Sequence, residues 1–285
     1  MKSKTLKIIL SVIVLLLAGG SLFMFIRNHR KSESYKKAID LEESGDTLSA
    51  YELFRSLEPY KDSSEHLNKL LAQDPILACH TAKKGDRISY GHYEQDNDLS
   101  NGTEPIEWLV LERLDDQLLL LSSEGLDGKP YHTVPFAEIT WENCTLRSWL
   151  NEDFLNTAFL PDERAFIPAV INQNKDQSAV GTAGGADTVD RIFLLSETDA
   201  LIYLNTEMDQ ENIGKAYATR YAEAHNVEVD EEGFISWWLR SPGVYPYSAQ
   251  FVAQDGKLYL SGAYVDIDYQ FAVRPALWLD LNASQ

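Results

Sequence analysis

The chain has 285 residues, 44% of them hydrophobic and 11% aromatic, enough for a sizeable core and too apolar for a wholly disordered protein. Its formal net charge of -19 is unevenly spread: residues 1–37 hold eight Lys and Arg against one acid, and residues 38–285 hold 17 bases against 43 acids. So acidic a body repels phosphate backbones, which excludes nucleic acid as its partner.

Ile8 to Ile26, IILSVIVLLLAGGSLFMFI, is 19 residues without a charge. At about 1.5 Å per residue such a run matches the hydrocarbon thickness of a bilayer. It predicts a membrane-spanning helix over 8–26, after a cytoplasmic tail at 1–7. A cleaved signal peptide fits less well, because RNHRK stands where a small-residue cleavage site belongs. Lys2, Lys4 and Lys7 before the run nearly balance Arg27, Arg30 and Lys31 after it, so the short N-terminal tail decides the orientation. The expectation is a single-pass cell-membrane protein with its C-terminal domain outside the cell.

A basic linker at 27–34 leads to residues 35–74, where Ala38 and Leu41, then Ala50, Phe54 and Leu57, recur at helical spacing around a break at Gly45-Asp46. Lys61-Asp62-Ser63 opens another helix carrying Leu67, Leu70 and Leu71. The offsets of Gly45, Ala50 and Phe54 resemble a tetratricopeptide hairpin. Such repeats bury their faces only in about three copies, so this segment reads as a spacer or a platform for a protein partner.

Asp74-Pro75 marks a boundary, and 76–285 reads as one domain. DRISYGHY, IEWLVLERL and DQLLLLSS predict a β-meander turning at Asp115-Asp116. TWENCTLRSWLNEDFLNTAF then switches to helical spacing, with Leu146, Trp149 and Leu150 followed by a fresh cap at Asn151. Residues 172–190 predict a long exposed loop, RIFLLSETDALIYL a strand and short helix, and Met208 to Asn226 a helical insertion. Near the end, Asp255-Gly256 predicts a two-residue hairpin turn pairing Val252 with Tyr259 and Phe251 with Leu260.

Cys79 and Cys144 lack ligand spacing, so zinc is excluded; they read as buried free thiols, with one disulfide as the alternative in an exported domain. Asp96, Asp98, Ser100 and Glu107 imitate a calcium loop, but Asn101 stands where that loop wants glycine, and an acidic turn is the simpler reading. No cofactor is expected beyond that residual possibility of Ca²⁺. Arg147, Arg240 and Arg274 sit inside apolar motifs, where a guanidinium needs several acceptors; clamps on loop carbonyls are expected. Trp237 and Trp238 alternate across a strand, so one faces the main core and the other covers the opposite side or meets a ligand.

EPIEWLVLE, LLLLSSEGLDGKPYH, LRSWLN with Arg147 and Trp149, DRIFLLS, WWLRSPG with Trp238 and Arg240, and AVRPALWLDL with Arg274 resemble, in order and spacing, the DUF6273 family over about residues 84–282. That resemblance, with the likeness of the tail to C-type-lectin-like folds, implies an α+β, C-type-lectin-like domain preceded by the transmembrane helix and the helical hairpin. In the variable binding proteins of that fold, positions between the last two motifs form the ligand surface. The matching residues here are Tyr245, Tyr247, Gln250, Tyr259, Tyr264, Asp266, Asp268 and Tyr269. The formylglycine-generating enzymes of the same fold work through C-terminal cysteines, and this chain has none after Cys144. The expectation is a membrane-anchored, non-catalytic binding module for protein or glycan ligands at the bacterial cell surface. A scaffold acting through the helical hairpin is the alternative, and an enzyme the less favoured one.

Overall fold

Gly45, at φ +84°, stops the first helix by taking a left-handed conformation that only glycine adopts without strain. The amides of Gly45 and Asp46 close back onto the carbonyls of Glu42 and Leu41, a paired C-terminal cap. The computed structural model describes residues 26–74, 76–204, 212–266 and 271–283. The chain divides into two compact units, Met1–Thr81 and Ala82–Gln285.

The first unit is helical: α1 (residues 26–44), α2 (Thr47–Leu57), α3 (Ser63–Gln73) and α4 (Leu77–His80). Asp46 caps α2 by accepting the Ser49 amide at 3.2 Å. Ala38, Ala50, Phe54, Leu57, Leu67, Leu70 and Leu77 form its core. At the edge of that core Glu42 accepts hydrogen bonds from Lys69 and His66. Burial raises the Glu42 carboxyl, and the two partners more than reverse this, holding it below the ordinary carboxylate range.

In the second unit, period-two alternation and β-branched or aromatic residues produce two five-stranded sheets. The first has the order β1 (Arg87–Tyr93), β2 (Glu104–Leu114), β3 (Gln117–Ser122), β12 (Ala276–Asp280), β7 (Ile192–Phe193), and all its pairs are antiparallel. The second runs β10 (Leu258–Tyr264), β9 (Ser248–Val252), β8 (Trp237–Pro242), β11 (Ala272–Val273), β4 (Asp127–Gly128), with β8 and β11 parallel. The chain passes from one sheet to the other at Arg274-Pro275, between β11 and β12. Gly91 marks a bulge in β1: a Cβ there would stand 2.5 Å from the Phe159 ring.

The helical stretch after β4 begins with α5 (Thr145–Trp149), widens to a π turn over Leu150–Phe154, and continues as α6 (Leu155–Ala158). Asn151 therefore does not start a new helix. Its Oδ1 accepts the Arg191 and Ile192 amides at 2.9 and 3.2 Å, and its Nδ2 donates to the Ile192 carbonyl, so the side chain holds β7 in place. After α7 (Pro161–Ala165), the expected long loop is present over 173–187, and a two-stranded ribbon, β5 (Val170–Asn172) with β6 (Thr188–Asp190), closes its base. Between them the side chain of Gln177 is buried and donates to the Leu260 carbonyl. Of the expected insertion at 208–226, residues 208–211 lie outside the described residues. The remainder is helical only in α9 (Arg220–Ala224), capped by Thr219.

The fold class expected from the sequence needs correction. What stands is an α+β protein in which, among the described residues, no helix is long and apolar enough to cross a membrane. The described part of α1 carries Arg27, Arg30, Lys31, Glu33, Lys36, Lys37, Asp40, Glu42 and Glu43, charges that hydrocarbon excludes. The expected span, 8–26, lies outside the described residues apart from Ile26. The tetratricopeptide-like and C-type-lectin-like descriptions gain no support from the structure beyond the α+β class. Four-residue α4 does not complete a second repeat, and the C-terminal motifs that suggested a lectin divide between the two sheets.

Cys79 and Cys144 are free, buried thiols, one in each unit. Burial pushes both up to about 12.

Candidate functional site

The hairpin between β9 and β10 decides which aromatic side chains meet. Only Gly256 of the Asp255-Gly256 pair has positive φ, +81°. The Ala253 amide donates to the Lys257 carbonyl and the Gly256 amide to the Ala253 carbonyl, a three-residue loop rather than a two-residue one. The register moves by one residue, pairing Val252 with Leu258 and Phe251 with Tyr259. Tyr259 then stacks on Phe251, centroids 5.0 Å apart, and Phe251 meets Phe271 at a tilt of 50°, centroids 4.6 Å apart.

A different set of rings gathers at the turn from β8 to β9. Tyr245 and Tyr247 stack at 5.3 Å with planes 5° apart. Tyr247 meets Tyr264 at 5.7 Å, and Phe136, from the segment after β4, closes the group at 6.1 Å from Tyr247 and 5.6 Å from Tyr264. Three of these side chains lie open to solvent: Phe136 is 64% exposed, Tyr245 52% and Tyr264 48%. The turn beneath them is held on several sides. Ser248 Oγ accepts the Tyr245 amide, the Ile139 amide donates to the Pro246 carbonyl, and the Val265 amide to the Tyr247 carbonyl.

Of the eight residues implied as a ligand surface, three therefore share this patch: Tyr245, Tyr247 and Tyr264. Asp266 is half-buried two residues beyond it, and Tyr259 is exposed but belongs to the Phe251 stack. Asp268 and Tyr269 lie outside the described residues. Gln250 is corrected: it is 0% exposed and donates from Nε2 to Glu197 Oε2 at 2.7 Å, so it belongs to the interior. Phe136 was not singled out in the sequence, where TVPFAE offers only an aromatic residue in an otherwise unremarkable turn. Its backbone, at φ +50°, is a conformation that bulky side chains rarely adopt.

The motif residues anchor the frame. Arg147 pairs with buried Asp190 at 2.6 Å and donates to the Glu142 carbonyl, while half-buried Trp149 takes the Lys129 ammonium over its ring at 5.0 Å. Arg240 donates to the Leu194 carbonyl and to Asp199. Among the described residues Arg274 has no carboxylate partner: it donates to the carbonyls of Ser122, Ile213 and Ser123 and lies over the Trp237 ring. Burial, with Arg87 nearby, depresses its pKa to about 9. Trp237 and Trp238 are both fully buried, donating to the Gly214 and Lys129 carbonyls, so neither tryptophan is left to meet a ligand.

The calcium-loop imitation does not assemble. Asp96 converges instead with Glu94 and Glu104, their oxygens within 4.8 Å, while Glu107 pairs with Arg87. Amide groups take up this cluster: Glu94 and Asp96 both accept from the Asp98 amide, and Glu104 from that of Gln95. Burial and the adjacent Glu104 and Asp96 raise Glu94 above the ordinary range. It is an acidic turn. A cleft of about 670 Å³ is lined by Arg87, Glu124, Lys215, Tyr217, Phe234 and Arg274, among others, and burial raises the Glu124 carboxyl.

No curated protein and no solved structure matches the chain. A family model described as a domain of unknown function, DUF6273, matches residues 115–281, starting at the β2–β3 turn rather than at residue 84. The match takes in the patch, the arginine clamps and more than half of the sequence, and the chain therefore belongs to the DUF6273 family.

Proposed function

We propose that the second unit is a non-catalytic binding module that takes a protein or glycan ligand on the patch formed by Phe136, Tyr245, Tyr247 and Tyr264. One observation carries this reading. An exposed phenylalanine occupies a backbone conformation that costs a bulky residue about 1 kcal/mol, and the rings it meets belong to tyrosines that are themselves partly exposed. The ring contacts do no more than offset that cost, and a ligand from outside the chain supplies a reason for the exposed ring. Tyrosines suit that task because they offer rigid, amphipathic area at low entropic cost, and the hydrogen-bonded turn beneath them holds the geometry in advance.

The test uses the full chain and two probe sets, an oligosaccharide array and a cell-surface protein extract. Tyr245→Ala combined with Tyr264→Ala removes the interaction with whichever set binds wild type, and deletion of residues 35–74 leaves it intact. Retention of binding by the double variant, with loss on the deletion, overturns the reading in favour of a scaffold acting through the helices.

A further inference from the structure

A pocket of opposite character lies at the other end of the WLRSPG motif. Lys175 and Asp176 from the β5–β6 connection, Glu197 and Asp199 from the start of α8 (Glu197–Tyr203), and Arg240 and Ser241 from β8 line a cavity of about 140 Å³. Its hydrogen bonds do not close. Arg240, only 6% exposed, makes its protein bonds through Nη1, to the Leu194 carbonyl at 2.7 Å and to Asp199 at 2.8 Å; its buried Nε–H has no partner. Glu197, 8% exposed, receives Gln250 Nε2 on one oxygen, and among the described residues no basic side chain pairs with it. Behind it Gln250 Oε1 is also buried without a partner.

A buried donor and a buried acceptor without partners, Arg240 Nε and Gln250 Oε1, each cost stability, and native interiors seldom tolerate either without a reason. The cavity falls well below the roughly 300 to 1,000 Å³ of sites for drug-sized ligands, so its occupant is small. Three acids, Asp176, Glu197 and Asp199, face two bases, Lys175 and Arg240. A bare anion meets more carboxylates than cations there, and a bare metal ion meets the Arg240 guanidinium. One chemistry answers both charged groups: a carboxylate to accept from the Arg240 guanidinium and an ammonium to pair with Glu197.

We propose that this pocket binds a small zwitterion of the α-amino acid type, independently of the aromatic patch. The test is calorimetric titration of the full chain with glycine, with ethanolamine as the ammonium alone and acetate as the carboxylate alone. Glycine binds, and each half binds at least about tenfold more weakly, the loss expected for one charge-assisted contact. Glu197→Gln can still accept from Gln250 Nε2, yet it weakens glycine by about tenfold or more, whereas Tyr245→Ala leaves glycine binding unchanged. If Glu197→Gln lowers the melting temperature, the wild-type preference for glycine over its two halves decides the matter. Absence of glycine binding up to about 10 mM, equal binding of the halves, or an unaffected Glu197→Gln variant that melts like wild type overturns the proposal.

Discussion

The connection from β8 to β9 serves two surfaces built on opposite principles. At its start, Arg240 and Ser241 belong to an interior of charged groups, where every lost partner leaves a desolvated charge behind. Four residues on, Tyr245 stands half in solvent on a turn fixed by backbone hydrogen bonds, and its ring adds little to the fold. Their nearness in sequence conceals the difference. In the first place side chains support the backbone, and in the second the backbone supports side chains.

The strongest way to break that comparison is Asp199→Ala. Asp199 pairs with Arg240 and also caps α8 by accepting the Ser196 amide, so its loss strands a buried guanidinium and frays a helix start. A cost of about 3 kcal/mol is expected, with part of the usual penalty relieved because Asp199 itself is partly exposed. Tyr245→Ala should cost no more than about 1 kcal/mol, the loss of its stack on Tyr247. Denaturant midpoints at unchanged slope measure both. Equal losses for the two variants would erase the distinction between frame and surface.

Phe136→Gly sharpens it at intermediate magnitude. Relief of the left-handed backbone returns about 1 kcal/mol, and loss of the ring contacts to Tyr247 and Tyr264 removes a similar amount. The melting temperature should therefore move by less than about 3 °C while ligand binding falls. A drop of more than about 5 °C would make Phe136 a structural residue and take away the main support for the patch.

What could be read in the sequence follows from how local its cause is. The strands of RISYGHY, IEWLVLERL and QLLLLS announce themselves by alternation and apolar content, and the Schellman-type stop at Gly45 by one residue. Asn151 looked like a helix cap because its neighbours are acidic; its true partners, Arg191 and Ile192, are some forty residues away. Gln250 looked like a surface polar residue, and only Glu197, 53 residues earlier, makes it an interior one. Phe136 carried no signal, since its place depends on where Tyr247 and Tyr264 arrive after two turns. The family motifs located the frame, and the long-range partners that shape the site lay outside them.

Tyr259 supplies the smallest effect and tests the register itself. On a two-residue Asp255-Gly256 turn, Tyr259 would oppose Val252 and stand on the face away from Phe251. With the three-residue loop it opposes Phe251 and lies flat against it, 19° between the planes. A bulge then intervenes at Gly262, where β10 shifts by two residues relative to β9, and Ala263 meets Ala249 while Tyr264 meets Ser248. That shift carries Tyr264, but not Tyr259, to the rings at the β8–β9 turn. Tyr264→Ala should therefore weaken the patch ligand by about tenfold and Tyr259→Ala by less than about twofold. Losing the Phe251 stack should still cost the second variant about 1 kcal/mol of stability, although its ring is as exposed as that of Tyr264. If both tyrosines weakened binding alike, the ligand would span both faces of the hairpin, and the four-ring patch would be only a portion of the surface it covers.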